Sequence, residues 1–291
     1  LALLDSGVQA TPSGTYFGER AAVFALNGQT GRANSFLVDG LDNGDRASST
    51  TLNSYFSQQV IKEFVVLKHQ YAAEFGRAGG GVMNIITERG ANAHTGEFFA
   101  QGTSPSLNST GDFSQALARD GGDTAVGRKA YGFKFGGPIR KDKAFYFAAF
   151  ERQASDDVLP YTGVDREGQI GGLYRAPNQD ENLFSRVDIN LSSKTFLMVR
   201  VSGDRRESRG LNVEGIRTPE GGFKLDEEDG QLAASLTRVV SPSAVYELRF
   251  LAGTSDFNQR ANSDRPGVER PSGIFGGNNL NRQDRGEKRL Q

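Results

Sequence analysis

From Thr95 onward the chain alternates apolar and polar residues with a period of two, and its connections alternate between short and long. Few folds accept both patterns at once. Seven segments carry the alternation, at about residues 95–101, 130–137, 144–154, 183–191, 195–203, 231–240 and 244–257. Tyr131, Phe133 and Phe135 fall on one face, with Gly132, Lys134 and Gly136 on the other. Val187, Ile189 and Leu191 oppose Arg186, Asp188 and Asn190; Leu197, Val199 and Val201 oppose Met198, Arg200 and Ser202; Tyr246, Leu248 and Phe250 oppose Glu247 and Arg249. A strand built this way separates an apolar medium from an aqueous one. Pro138 to Lys143, Ser192 to Lys194 and Ser241 to Ser243 read as tight turns. The polar stretches 103–129, 154–182, 204–230 and 258–291 read as long loops, which compact soluble domains rarely contain. Short turns at one end and long loops at the other describe an outer-membrane barrel with its long loops outside.

The first ninety residues follow a different pattern. Short strand candidates occur at Ala22 to Leu26, Ser35 to Asp39 and Ile61 to Lys68, and a short helix is expected over Thr51 to Gln59, capped by Ser48 or Ser49. The stretch AAEFGRAGGGVMNIITERG, Ala72 to Gly90, ends this region. Its three consecutive glycines, Gly79, Gly80 and Gly81, allow positive φ and close approach to another surface. Val82 to Thr87 is β-branched and apolar on both sides, as in a strand covered on both faces. The expectation is a small mixed α+β domain lodged against the β region.

Composition removes several function classes. A net charge of −1 gives no basic excess for tracking phosphate backbones, so no nucleic-acid partner is expected. The absence of cysteine removes disulfides, thiolate metal sites and cysteine nucleophiles. No window approaches the ~18 apolar residues of a membrane helix, whereas barrel strands need only about ten alternating residues each.

No chemistry-bearing constellation emerges. Asp39, Asp42, Asn43 and Asp45 lack the spacing of a calcium loop and the distal bidentate glutamate, so they read as a turn after a strand. The glycines at 76 and 79–81 precede a strand and no Lys-Ser/Thr follows, which argues against a phosphate cradle. His69 and His94 have no nucleophile nearby. Catalytic, cofactor and metal sites are therefore expected to be absent, and the chain is expected not to be an enzyme. Glu74 and Arg77 admit two readings: an exposed turn pair of little energetic value, or a pair at the surface of the small domain that fixes its position against a charged lumen. The second is preferred, with Gly79, Gly80 and Gly81 in the same contact and Asp39 and Asp42 in an adjoining loop. Arg205, Arg206 and Arg209 read as a solvated loop tip that would attract an anionic ligand or lipopolysaccharide.

Five segments resemble TonB-dependent outer-membrane receptors of the Oar-like group. They are LALLDSGV at Leu1, NGQTGRANSFLVDGLDN at Asn27, IKEFVVLKHQYAAEFGRAGGGVMNIITERGAN at Ile61, FGGPIRKDKAFYFAAFE at Phe135 and FSRVDINLSSKTFLMVRVS at Phe184. The resemblance implies a mainly β fold: a partial transmembrane antiparallel barrel (93–291) preceded by the C-terminal part of a small α+β plug domain (1–92). It implies a 22-stranded barrel in the outer membrane of a Gram-negative-type bacterium. Seven strands over 95–291 take about 28 residues each, so 22 would take about 600, and the chain reads as a fragment. The implied partners are outer-membrane lipid or lipopolysaccharide, the periplasmic energy-coupling protein TonB and a small ligand, whether siderophore, oligosaccharide or peptide. The motif that engages TonB is not among these residues, and without tryptophan any interfacial girdle must be Tyr and Phe. Two alternatives stay open: a surface adhesion barrel without transport, and a secreted β-rich enzyme. A propeller enzyme would require a repeat of about 40–50 residues, which the sequence lacks.

Overall fold

The computed structural model describes residues 8–10, 24–29, 33–44, 56–68, 78–103, 127–277 and 283–290. Near the N-terminus β1 (Val8–Ala10) and β2 (Phe24–Leu26) pair as an antiparallel ribbon. A small four-stranded sheet follows, built from β3 (Asn34–Val38), β4 (Leu41–Asp42), β5 (Ile61–Leu67) and β6 (Gly81–Thr87) in the order β4-β3-β6-β5. As its apolar run predicts, β6 is central, parallel to β3 and antiparallel to β5, with Val82, Met83 and Ile85 buried. Asp39 and Gly40 join β3 to β4 with φ of 50° and 76°, the left-handed pair that an Asp-Gly hairpin turn supplies.

Of the three glycines at the start of β6, Gly80 and Gly81 pack closely and Gly79 does not, and none has a positive φ. A Cβ on Gly81 would lie 2.8 Å from Leu26 Cδ1 and 3.0 Å from the Leu67 carbonyl; one on Gly80 would meet Asn34 Oδ1. The expected helix falls mostly outside the described residues. Its described end is a 3-10 turn, Gln58–Val60, capped by Ser57, whose hydroxyl accepts from the Gln59 amide at 3.1 Å. Among the described residues the small domain shows strands and 3-10 turns, and residues 45–55, where most of the helix and its cap are expected, lie outside them.

The large sheet contains β7 (Thr95–Thr103), β8 (Gly127–Arg140), β9 (Ala144–Val164), β10 (Ile170–Ser192), β11 (Thr195–Leu211), β12 (Phe223–Ser241) and β13 (Ala244–Ala261). After the hairpin of β14 (Val268–Arg270) and β15 (Gly273–Phe275), β16 (Gln283–Leu290) pairs with β13. The sheet is an open antiparallel meander of eight strands in the order β16-β13-β12-β11-β10-β9-β8-β7. The three tight turns lie at one end as expected.

Two expectations change. The sheet has eight strands where seven were read, because β16 has no apolar face to reveal it. Most of the stretches 154–182 and 204–230 are strand: β9, β10 and β11 run for 21, 23 and 17 residues. A membrane crossing takes only about 9–11 residues of each strand. The remainder has no continuous apolar face in the sequence, and cross-strand bonds such as Arg152–Glu181 at 2.8 Å and Arg209–Asp226 at 2.9 Å help to hold it. The true connections are 165–169 and 212–222.

The two faces of the large sheet differ as the alternation predicts. One exposes Phe98 (77%), Tyr246 (74%), Leu248 (67%) and Leu183 (58%). Phe98, Phe133, Phe135 and Phe150 form a continuous aromatic group on it, with ring centroids 5.1–6.2 Å apart. The other face carries Lys134, Glu151, Arg186, Arg200 and Gln231 and receives the small sheet.

Candidate functional site

The contact between the two sheets centres on Asp39. The tight turn at 193–194 sets a register in which Arg186 of β10 and Arg200 of β11 are direct cross-strand partners, both facing the small sheet. Like charges placed directly opposite repel. The Asp39 carboxylate lies between them, one oxygen accepting from Arg200 Nη1 at 2.7 Å and the other from Arg186 Nη1 at 3.2 Å. It also accepts from the Thr87 amide and hydroxyl, each at 3.0 Å. Arg186 donates through Nε and Nη2 to the two oxygens of Asp188, at 2.8 and 2.7 Å, and through Nη1 to the Thr87 hydroxyl at 2.8 Å. The Arg200 side chain has no solvent exposure and its guanidinium lies 5.5 Å from the Phe56 ring centroid. A buried charge is tolerated only when paired, so the turn of one sheet supplies what the other sheet lacks.

Further contacts flank this centre on two sides. Along residues 39–44, Gln231 Nε2 donates to Asn43 Oδ1 at 2.6 Å and Arg249 Nη1 to the Gly40 carbonyl at 3.1 Å, while Leu41 packs with Met198, Ala233 and Leu251. Along residues 56–60, Val60 and Phe56 pack on Phe147, Ala149 and Phe184. Ser57 donates to Glu151, and Lys134 donates to Gln59 at 3.0 Å. A cavity of about 700 Å³ lies beside Asp39, lined by Arg186, Asp188, Ser235, Glu247 and Arg249 among others.

The residues singled out from sequence are distributed differently. Glu74 and Arg77 lie outside the described residues, as do Asp45 and His69. Gly79, Gly80 and Gly81 pack on Leu26 of the N-terminal ribbon and on Ala33, Asn34 and Leu67. Asp42 caps the Gly44 amide at 3.0 Å. Arg205, Arg206 and Arg209 stand on β11 instead of at a loop tip. Arg205 bonds Glu207 at 2.9 Å and Arg209 bonds Asp226 at 2.9 Å; strand alternation puts Arg206 on the face opposite Arg205. They form no single basic patch. His94 lies against Gly137 and reaches the Tyr146 hydroxyl at 3.4 Å. Among the described residues no cluster of His, Cys, Asp or Glu is built to hold a metal. Arg186 and Arg200 went unrecognised as site residues, although a hairpin centred on Ser193 already places them opposite each other.

No protein-family model matches the chain. Its sequence is 33% identical over 154 residues, half of the chain, to the TonB-dependent transporter Oar of Myxococcus xanthus. Its fold is similar to the outer-membrane transporter YddB of Escherichia coli, with a TM-score of 0.60 and 16% identity over 87% of this chain. It is also similar to a mutant of the ferric enterobactin receptor PfeA of Pseudomonas aeruginosa, with a TM-score of 0.58 and 15% identity over 96% of this chain. The chain spans 14% of the Myxococcus transporter and 36–40% of the two structures.

Proposed function

Because the chain is an Oar-like relative of the TonB-dependent outer-membrane receptors, we propose that it forms the plug and part of the barrel wall of a receptor that takes up a ligand under energy coupling. In this reading 1–92 belong to the plug and 93–291 to the wall. The aromatic and aliphatic face meets outer-membrane lipid, and the polar strand extensions with the connections 165–169 and 212–222 stand outside and capture the ligand. TonB drives the plug from the periplasmic side. Nothing in the process requires bond chemistry on the ligand.

The observation that carries the reading is the Asp39 contact. A carboxylate on a left-handed turn is held by guanidinium groups from two adjacent wall strands. An adhesin needs only a wall and its loops, whereas a plug latched by paired charges closes a passage and remains separable from it. Growth of a strain lacking the gene tests this, with single siderophores, oligosaccharides or peptides as the sole source of iron or carbon. A nutrient whose use fails in that strain and fails equally in a strain lacking TonB supports transport. Normal growth on the whole panel, with loss of surface attachment, supports adhesion instead.

A further inference from the structure

The inner face of the large sheet continues past its contact with the small one. Glu151, which meets Ser57, is followed along the same face of β9 by Gln153, Ser155, Asp157 and Leu159. Cross-strand pairing sets further polar side chains beside them, Gln101 and Asp180 in the row of Gln153, and Thr103, Asn178 and Ser208 in the row of Ser155. Two cavities of about 440 Å³ each open over these rows and share Ser155, Asn178 and Asp180, so together they form one groove. Its size suits a small ligand.

The walls of the groove are ordered. Ser208 donates to Asn178 Oδ1, and Asn178 Nδ2 donates to the Asp157 carboxylate and to the Ala176 carbonyl, each at 3.0 Å. The connection 212–222 closes the far end and is itself tied down: the Thr218 amide donates to the Ile274 carbonyl at 2.9 Å, the Ile274 amide to the Ile216 carbonyl at 2.8 Å, and Asn262 Nδ2 to the Pro219 carbonyl at 2.8 Å. Leu159, Ala176, Leu211 and Val213 line this end. A ligand entering such a groove is spared the cost of ordering it.

The charges of the lining balance. Arg128 lies 3.9 Å from Asp157, Arg206 is the cross-strand partner of Asp180, Arg209 bonds Asp226, and Lys129 and Glu214 carry one charge of each sign. A multiply anionic ferric complex would lose its hydration here without meeting a cationic surface. Side-chain amides and hydroxyls dominate what remains, and both donate and accept, as the hydroxyls of a sugar require. Their spacing selects further. The rows repeat about every 6.7 Å along the strands and about every 4.8 Å across them, so the polar groups spread in two dimensions. An extended peptide offers its N–H and C=O groups along a single line, whereas a sugar chain carries hydroxyls around every ring and C–H faces for the apolar end.

We propose that this groove is a ligand subsite and that the ligand it takes is a neutral oligosaccharide. The proposal rests on the energy-coupled reading above and names its substrate class.

The full-length receptor, purified in a detergent without a sugar head group, is tested against an array of neutral oligosaccharides of glucose, galactose, mannose and xylose. Ferric enterobactin and a pool of uncharged octapeptides are tested in parallel. The expected result is binding of at least one oligosaccharide and of neither control. Gln101→Ala with Ser155→Ala should weaken that binding at least tenfold with an unchanged urea transition. Gln179→Ala, at the same height on the outward face, should leave it unchanged. No oligosaccharide bound, or a control bound in its place, overturns the substrate class. Equal binding by the double variant, or an equal loss in Gln179→Ala, overturns the groove. None of these results touches energy-coupled uptake, which the strains lacking the gene or TonB decide separately.

Discussion

Asp39 lies between Arg186, which Asp188 also holds, and Arg200, whose buried guanidinium has its ion pair with Asp39, so removing Asp39 strands Arg200. Asp39→Ala in the full-length receptor is expected to cost about 3–5 kcal/mol, the usual penalty for stranding one partner of a buried charge pair. Urea titration of the purified receptor reads this as loss of plug protection at lower denaturant. The double variant Asp39→Ala with Arg200→Ala should lose clearly less than the sum of the single losses, because contacting residues couple. Additive losses would show that the pair does not act as a unit. Half of this site was legible in the sequence. Asp-Gly after an apolar strand announces a hairpin, and a turn at 193 places Arg186 opposite Arg200. The missing half is a contact across 147 and 161 residues of chain, for which local pattern holds no signal. Glu74 and Arg77 lie outside the described residues.

The element that organises the plug is β6, and its glycines are not equivalent. Gly81 has a neighbouring backbone carbonyl and a leucine methyl within about 3 Å of where a Cβ would lie, whereas the nearest atom to a Cβ on Gly79 is 3.7 Å away. Gly81→Ala should therefore destabilise the plug by about 1–3 kcal/mol, the usual cost of overpacking. Gly79→Ala should stay within about 0.5 kcal/mol of the parent. Equal effects in urea titration would contradict the packing assigned to β6. Strand existence in the large sheet was readable wherever one face is apolar, as in Val187, Ile189 and Leu191. Strand length was not. The outer parts of β9, β10 and β11 lack that apolar face and carry charges paired across strands, so in sequence they look like loop. The same physics concealed β16, whose sequence QDRGEKRL has no apolar face.

At the scale of the molecule the wall is an open sheet, with β7 and β16 as its edges among the described residues. In lipid every backbone polar group must be paired, and open edges template further pairing. These 291 residues expressed alone and transferred from urea into detergent are therefore expected to give aggregated or heterogeneous material; a monodisperse, cooperatively unfolding monomer would contradict the barrel-wall reading.

The most direct test of that reading is the sidedness of the sheet in whole cells. The chain has no cysteine, so single cysteines can be introduced at Lys141, in the tight turn between β8 and β9, and at Glu167, whose side chain is 64% exposed in the connection between β9 and β10. Treatment of intact cells with a membrane-impermeant maleimide is predicted to label Glu167→Cys and to spare Lys141→Cys until the outer membrane is opened. Labelling of Lys141→Cys in intact cells with Glu167→Cys protected would contradict it.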